Sequence, residues 1–457
     1  MDVTATIKKF GLQKAFHYLY KAPEENLKKM LAWAEKFTGK TYASQIAAIR
    51  DAVENPENPF HAYIERLLEN ADPDVVKTVA VNFFIHENMI GYPKQKELKE
   101  KYNCNIPWAI LLDPTSACNL HCVGCWAAEY GNKLNRSYEE LDDIIQQGKN
   151  LGVYLYLYTG GEPLVRKDDI IRLCEKHSDC VFSSFTNGTL IDEKFADEML
   201  RVKNFVPAIS LEGMEAATDG RRGEGVFAKV THAMDLLRER KLLYGISSCY
   251  TSANYDSITS EEYYDMLIEK GAYFIWYFHY MPVGNDAVPE LLPTPEQRET
   301  VYRRIRDYRT RKPLFAIDFQ NDAEFVGGCI AGGRRYLHIN AGGDMDPCAF
   351  IHYSDSNIRK KTLLEGLRSP LFQAYHDGQP FNTNMFQPCP MLENPQLLRS
   401  IVEKTGAHST DLQSPESADH LCAKCDAYAA CWQEKAQQLW EEIPEERRKY
   451  VLENNTK

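Results

Sequence analysis

The chain has 457 residues with 53 basic and 65 acidic side chains, a net charge of −12, and its length accommodates roughly three domains and a large core. The acidic balance argues against a nucleic-acid backbone as the principal partner, and the lack of any run of about eighteen apolar residues excludes a transmembrane segment while leaving room for peripheral membrane contact. Met1-Asp2-Val3-Thr4 has neither an apolar h-region nor a small-residue cleavage site, so the 13 cysteines are read in a reducing, cytoplasmic setting, where clustered thiols are metal ligands rather than disulfides.

Residues 1–105 read as a helical domain. Leu27, Met30, Leu31, Ala34 and Phe37 recur at helical spacing before a Thr38-Gly39 stop, and Pro23, Pro56 and Pro73 stand near helix starts. Val75 to Ile85 is apolar nearly all round, as in a helix buried between others. Phe10, Phe16, Tyr18, Tyr20 and Trp33 belong either to that packed domain or to an apolar docking surface.

Residues 106–285 alternate short apolar runs with amphipathic segments, the pattern of parallel β/α units. Strands are expected at 109–112, 154–158, 181–186, 206–210, 245–250 and 273–280, with helices at 138–151, 168–176, 193–201, 228–240 and 261–270. Six such units make a partial α/β barrel whose chemistry sits in the loops after the strands. Residues 286–326 read as a linker and helix. Residues 327–457 are irregular, rich in Pro and Asn, and hold Cys329, Cys348, Cys389, Cys422, Cys425 and Cys431.

The chemistry-bearing segments fall at the strand ends. Cys118, Cys122 and Cys125 form C-x3-C-x2-C directly after the first strand. Three thiolates leave one iron of a cubane open to chelate an amine and a carboxylate, unlike a ferredoxin run with its fourth cysteine; a zinc knuckle or buried small hydrophobes are the alternatives. Thr159-Gly160-Gly161-Glu162-Pro163 follows the second strand, where glycines allow close backbone approach to a ligand. Thr186-Asn187-Gly188-Thr189 follows the third. Ser210-Leu211-Glu212-Gly213 ends the fourth, and Asp219-Gly220-Arg221-Arg222-Gly223 comes after it as either a carboxylate-neutralising or a solvated turn. Tyr280-Met281-Pro282-Val283-Gly284 follows the sixth. Further on, Cys329, Gly343 and Cys348 are spaced C-x13-G-x4-C, and Cys422, Cys425 and Cys431 are spaced C-x2-C-x5-C, with a β-hairpin expected between Arg335 and Pro347.

Together these segments resemble the radical S-adenosylmethionine (SAM) superfamily, and the later cysteines resemble its SPASM or twitch extension. The resemblance implies a partial (β/α)6 TIM-like barrel with an N-terminal helical domain and a C-terminal irregular iron–sulfur extension. It makes Cys118, Cys122 and Cys125 the ligands of a catalytic 4Fe-4S cluster. It sets Gly160, Gly161 and Glu162 at the amino group of SAM, and Asn187, Ser210 and Glu212 at its other polar groups, with Glu212 standing where the family has Asp. Gly124 occupies a position that is aromatic in many members, so Trp126 or His121 is expected to pack on adenine instead. The SPASM set also lacks its last cysteine, that position being Lys435. Six thiols are too few for two fully ligated cubanes, which favours one auxiliary 4Fe-4S cluster on Cys329, Cys348, Cys389 and Cys425 or Cys422, with zinc as the alternative. Cys431 reads as a buried helix cysteine; Cys104, Cys174, Cys180 and Cys249 read as core; His279 reads as core or site.

The implied function is enzymatic. A radical SAM oxidoreductase or transferase, fed by a reductant such as flavodoxin or ferredoxin, cleaves SAM to a 5′-deoxyadenosyl radical and abstracts hydrogen from an unactivated C–H bond. Two substrate classes fit: a peptide or protein, and lipid chains as in membrane-spanning-lipid and tetraether-lipid synthases. An all-helical N-terminus counts against a winged-helix module for a leader peptide. An iron–sulfur redox carrier is disfavoured, because it leaves the Gly-Gly-Glu segment and the strand-end polar groups without purpose.

Overall fold

The computed structural model describes residues 43–454 and, ahead of them, Glu25, Asn26, Lys28, Lys29, Leu31 and Ala32. The aromatic set Phe10, Phe16, Tyr18, Tyr20 and Trp33, like most of the first expected helix, lies outside the described residues. Helices Pro59–Asn70 and Pro73–Ala80 each place proline at the first position, with Asn58 and Asp72 as caps accepting from the following backbone N–H groups. The stretch expected to be buried all round instead turns π-helical over Val81–Gly91 and is buried on one side only: Val81 and Ile85 face the core, whereas Phe84 is 58% exposed.

All six expected strands form in chain order: β1 Ala109–Leu112, β2 Leu155–Tyr158, β3 Val181–Thr186, β4 Phe205–Ser210, β5 Gly245–Tyr250 and β6 Phe274–His279. Each pairs in parallel with the next, and the intervening helices, such as Tyr138–Asn150 with its Ser137–Glu140 capping box, cover the outside. Alternation sends Tyr156, Phe182 and Ile246 outward into the layer beneath the helices and leaves Leu111, Phe185, Ser247, Cys249, Trp276 and Phe278 half-buried toward the interior.

The sheet runs further than six strands. β7, Phe315–Asp318, lies in the segment read as linker and pairs in parallel with β6. At the other side β8, Tyr336–Ile339, pairs in parallel with β1, and β9, Met345–Asp346, folds back on β8 as the expected hairpin. The order is therefore β7-β6-β5-β4-β3-β2-β1-β8-β9, with β7 and β8 unpaired to one another but joined by an edge-on contact of Phe319 with Tyr336, ring centroids 6.2 Å apart. The region expected to be irregular carries helices Pro370–Gly378, Pro395–Thr405, Ala418–Glu442 and Glu445–Asn454 between its turns. Among the described residues no helix is long and apolar enough to cross a membrane.

The π-helical turn docks on the barrel through two glycines. A Cβ on Gly91 would run into the carbonyl oxygen of Gly152, and Gly152 itself sits at φ +90°. Gly91→Ala should therefore destabilise the chain by about 2 kcal/mol or more, overriding the usual helical preference for Ala. Urea unfolding should show a lower midpoint at unchanged slope.

Candidate active site

The loop carrying Cys118, Cys122 and Cys125 leaves β1 through Asp113 and is held by backbone contacts on two sides. Gly161 N–H donates to Thr115 O (3.1 Å) and Glu162 N–H to Ala117 O (2.8 Å), and a Cβ on Gly161 would collide with the carbonyls of Ser116 and Ala117. The glycine pair thus lets the second strand-end turn lie directly on the backbone leading into Cys118. On the other side Val123 N–H donates to Arg221 O (2.9 Å).

All three thiols line one cavity of about 230 Å³, together with Gly160, Gly161, Glu162, Asn187 and Ser210. Polar donors turn toward the sulfurs: Leu120 N–H lies 3.5 Å and Asn187 Nδ2 4.0 Å from Cys118 Sγ, and Arg222 Nη1 lies 3.9 Å from Cys122 Sγ. Burial raises Cys118 to about 11, so ligation to a cation is what would make it a thiolate. Among the described residues no three His, Cys, Asp or Glu side chains gather as a single-ion site. Three thiols lining one cavity and met by N–H donors and a guanidinium would suit an iron–sulfur cluster.

The geometry places three groups of expected site residues. Tyr280 stands beside Gly124: a Cβ at Gly124, whose φ is +64°, would lie 2.7 Å from the Tyr280 hydroxyl. Trp126 lines the cavity while packing edge-on against Tyr130, His338, Phe350 and His352, and the exposed His121 lines an adjoining pocket with the same three cysteines. Glu212 does not line the cavity. It is wholly buried and binds Arg221 (2.7 Å), Arg222 and the backbone of Cys249; burial would raise its pKa, but the two guanidinium groups outweigh that and lower it. Arg221 and Arg222 are the groups that reach the cavity, with Glu212 orienting them. Glu162, although it lines the cavity, has its carboxylate committed to Leu164 N–H (2.9 Å), Thr186 Oγ1 (2.6 Å) and Asn187 N–H (2.7 Å), so it pins the second strand-end turn to the third.

Cys249, read as core, lines the cavity beside Ser247. The period-two pattern of β5 carried that signal, since both residues share the face of Gly245. Cys104, Cys174 and Cys180 are buried as expected. His279 is engaged on both nitrogens, at 2.6 Å from Tyr280 O and 2.8 Å from Tyr428 Oη, and burial holds it well below the ordinary imidazole range.

Cys329, Cys348 and Cys389 come together on the wall of a second cavity. Met391 and Leu392 N–H point at Cys389 Sγ (both 3.4 Å) and Phe350 N–H at Cys348 Sγ (3.5 Å). Cys422 and Cys425 sit one turn apart, buried, near the start of helix Ala418–Glu442. The buried Tyr375 hydroxyl has no partner; burial raises its pKa first, and the thiols of Cys329, Cys348, Cys389 and Cys422 raise it further. Cys431, expected to be buried, is exposed. Nearby, a fully buried Arg298–Glu393 pair (2.7 Å) ties the Cys389 N–H to Tyr428 and so to His279.

The two cysteine sets are joined by His338 of β8. Its ring lies between Asp113 (3.0 Å), at the root of the first cysteine loop, and Asp346 (3.2 Å), two residues before Cys348. Burial alone would lower its pKa, but the charge and hydrogen bond of Asp113 and the bond to Asp346 prevail and raise it to about 9, while burial raises Asp346 to about 6.

Residues 112–267 match the radical SAM superfamily. The chain is 23% identical over 290 residues to an AdoMet-dependent heme synthase from Methanosarcina barkeri, covering 57% of this chain and 82% of that protein. It is 28% identical over 344 residues to the mycofactocin maturase MftC of Mycolicibacterium smegmatis, covering 71% of this chain and 77% of that one. Among solved structures, Streptococcus suis SuiB bound to S-adenosylmethionine superposes with a TM-score of 0.56 at 19% identity, over 72% of this chain and 87% of that chain, a likeness of fold.

Because the folded pKa of His338 exceeds the ordinary 6.5, its stabilisation is complete below pH 6.5 and is lost as pH rises through about 9. The stability gap between wild type and His338→Gln should narrow by on the order of 3 kcal/mol between those limits, measured by urea unfolding across the pH series.

Proposed function

This chain is a radical SAM enzyme, and we propose that it cleaves SAM reductively at the Cys118–Cys122–Cys125 loop and removes a hydrogen atom from an unactivated C–H bond. The observation that carries this reading is the convergence of the three thiols, the two glycines and the Arg221–Arg222 pair on one cavity. When bound, a reduced 4Fe-4S cluster on those thiols would supply the electron that divides SAM into methionine and a 5′-deoxyadenosyl radical.

The chain's own residues would do the positioning. Gly160 and Gly161 let the second strand-end turn lie against the backbone leading into Cys118, lining the cavity where the methionine amine would bind. Arg221 and Arg222, fixed by buried Glu212, present guanidinium charge to the methionine carboxylate, a role for which planar paired donors suit. Ser210, Ser247 and Asn187 offer hydroxyl and amide groups to the ribose, and Tyr280 stands against Gly124 where an adenine ring can pack. Leu111, Leu157, Trp276 and Phe278 wall the remaining face and keep water from the radical. Transfer is balanced as R–H plus the primary radical giving R• plus 5′-deoxyadenosine.

An auxiliary 4Fe-4S cluster on Cys329, Cys348 and Cys389 fits a chain that gathers these three sulfurs on one cavity wall. Cys422 or Cys425, one turn apart and buried on helix Ala418–Glu442, would be the fourth ligand. A peptide substrate is supported by the likeness to a mycofactocin maturase, and a lipid substrate by the apolar walls described below. A reductant of the flavodoxin or ferredoxin type and a cytoplasmic location complete this reading.

Anaerobically reconstituted protein given dithionite and SAM should release 5′-deoxyadenosine, and the triple Cys118/Cys122/Cys125→Ala variant should release none while keeping about four irons. No 5′-deoxyadenosine after verified iron loading would overturn the proposal. Iron counting on single variants separates the fourth ligand: in that triple background one of Cys422→Ser and Cys425→Ser should lose most of the residual iron and the other should retain it, and retention by both would overturn the proposed ligand set.

A further inference from the structure

The open side of the sheet, between β7 and β8, encloses a cavity of about 670 Å³. It runs from Cys329, Cys348 and Cys389, whose end a cluster would fill, to a mouth ringed by Phe60, Phe315 and Phe325, which are 42%, 45% and 49% exposed. It shares Trp276, Met281, Phe319, Ile330, Tyr336 and Phe350 with the cavity that holds the first three cysteines, so the two adjoin across these side chains.

Most of its few polar groups are already satisfied, the buried Trp276 indole N–H being an exception. The edge of β7 is capped by its own side chains: Arg309 Nε donates to Ala316 O (3.0 Å), and Asp318 N–H donates to Asp322 Oδ2 (2.8 Å). Tyr336 O accepts from Gly333 N–H (2.9 Å), and the Gln320 side-chain oxygen accepts from His279 N–H (3.0 Å). An extended peptide entering here would find the β7 edge already engaged at Ala316 O and Asp318 N–H, and each backbone group left unpaired would carry its full desolvation cost. The two cations on the wall are also taken, Arg309 by Asp322 (2.8 Å) and Lys312 by Glu261 (2.9 Å), so carboxylate-bearing macrocycles gain no counter-charge.

We propose that this slot binds a linear hydrocarbon chain, the acyl or isoprenoid tail of a lipid, and delivers it through the Trp276–Phe350 neck to the SAM cavity. The inference rests on the radical reading above and names its substrate class. An alkyl chain asks for no hydrogen bonds, gains from burial along an apolar tube, and is met at the mouth by exposed phenylalanines of a kind that mark lipid or protein contact.

The test is photolabelling of the reconstituted full-length protein with a mid-chain diazirine analogue of palmitic acid, followed by mapping of the adducts. Adducts on Ile317, Val326 or Ile330 that oleate competes away support the slot, and Ile317→Trp and Val326→Trp should each cut the labelling at least tenfold, with thermal unfolding confirming that the variants fold. Competition by phosphatidylcholine vesicles as well would identify a bilayer lipid as the source; competition by oleate alone would identify a free or carrier-borne chain. Absence of adducts in the lining, or competition by an apolar peptide but not by oleate, overturns the inference. The SAM assay runs in parallel: 5′-deoxyadenosine formed without specific labelling refutes the hydrocarbon slot and leaves the radical reading standing, whereas labelling without 5′-deoxyadenosine does the reverse.

Discussion

The charge trapped between Asp113 and Asp346 on His338 is the constraint on which the rest of this architecture depends. Three strands meet at it: β1, which launches the first cysteine loop, β8, which carries the imidazole, and β9, which leads to Cys348. Ionic groups removed from water are costly to bury and costlier to leave half-paired, so the clamp tolerates one relative position of the barrel and the hairpin. A second enclosed pair, Arg298 with Glu393, does the same between helix Pro295–Tyr308 and the Cys389 turn, with the guanidinium also resting on Trp432 at 4.0 Å. Two sulfur sites on separate stretches of chain are thereby held as parts of one rigid body.

How much of this was legible from sequence follows the range of the interactions. The six strands of the barrel, the helices between them and the turns that follow each strand were readable, because alternation, capping and glycine punctuation are encoded within a few residues. β7 was missed: Leu314 to Phe319 is a short, mostly apolar run without clear alternation, and its pairing with β6 is a tertiary choice. The hairpin was foreseen, but not that β8 would extend the barrel sheet beside β1. The same rule governs the site. Cys118, Cys122 and Cys125 announce themselves by spacing. That Glu212 faces two arginines rather than the cavity, or that Tyr280 fills the place beside Gly124, depends on residues that meet only after folding. Cys431 was misread because a cysteine on an amphipathic helix gives no indication of which way it points.

The two cavities divide their work by polarity. Near the first three cysteines the lining supplies guanidinium, hydroxyl and amide groups, as a zwitterionic cofactor requires. Past Trp276 and Phe350 the walls become almost wholly apolar. A reactive carbon radical is best housed where neighbouring groups neither ionise nor exchange protons, and the transition between the two regions falls where the interior faces of β6 and the Cys348–Ile351 turn approach each other. The aromatic concentration there, Phe278 against Phe319 at 5.1 Å and against Phe350 at 6.1 Å, excludes solvent without offering a polar alternative.

The capping of β7 has a consequence beyond the slot it borders. A parallel sheet that stops before closing leaves a row of backbone groups ready to recruit a strand from another molecule, the usual route to edge-to-edge aggregation. With Arg309 and Asp322 folded back onto that edge, Ala316 O and Asp318 N–H are taken by side chains. The gap in the barrel wall is thereby a poorer template for self-association than a bare strand edge would be.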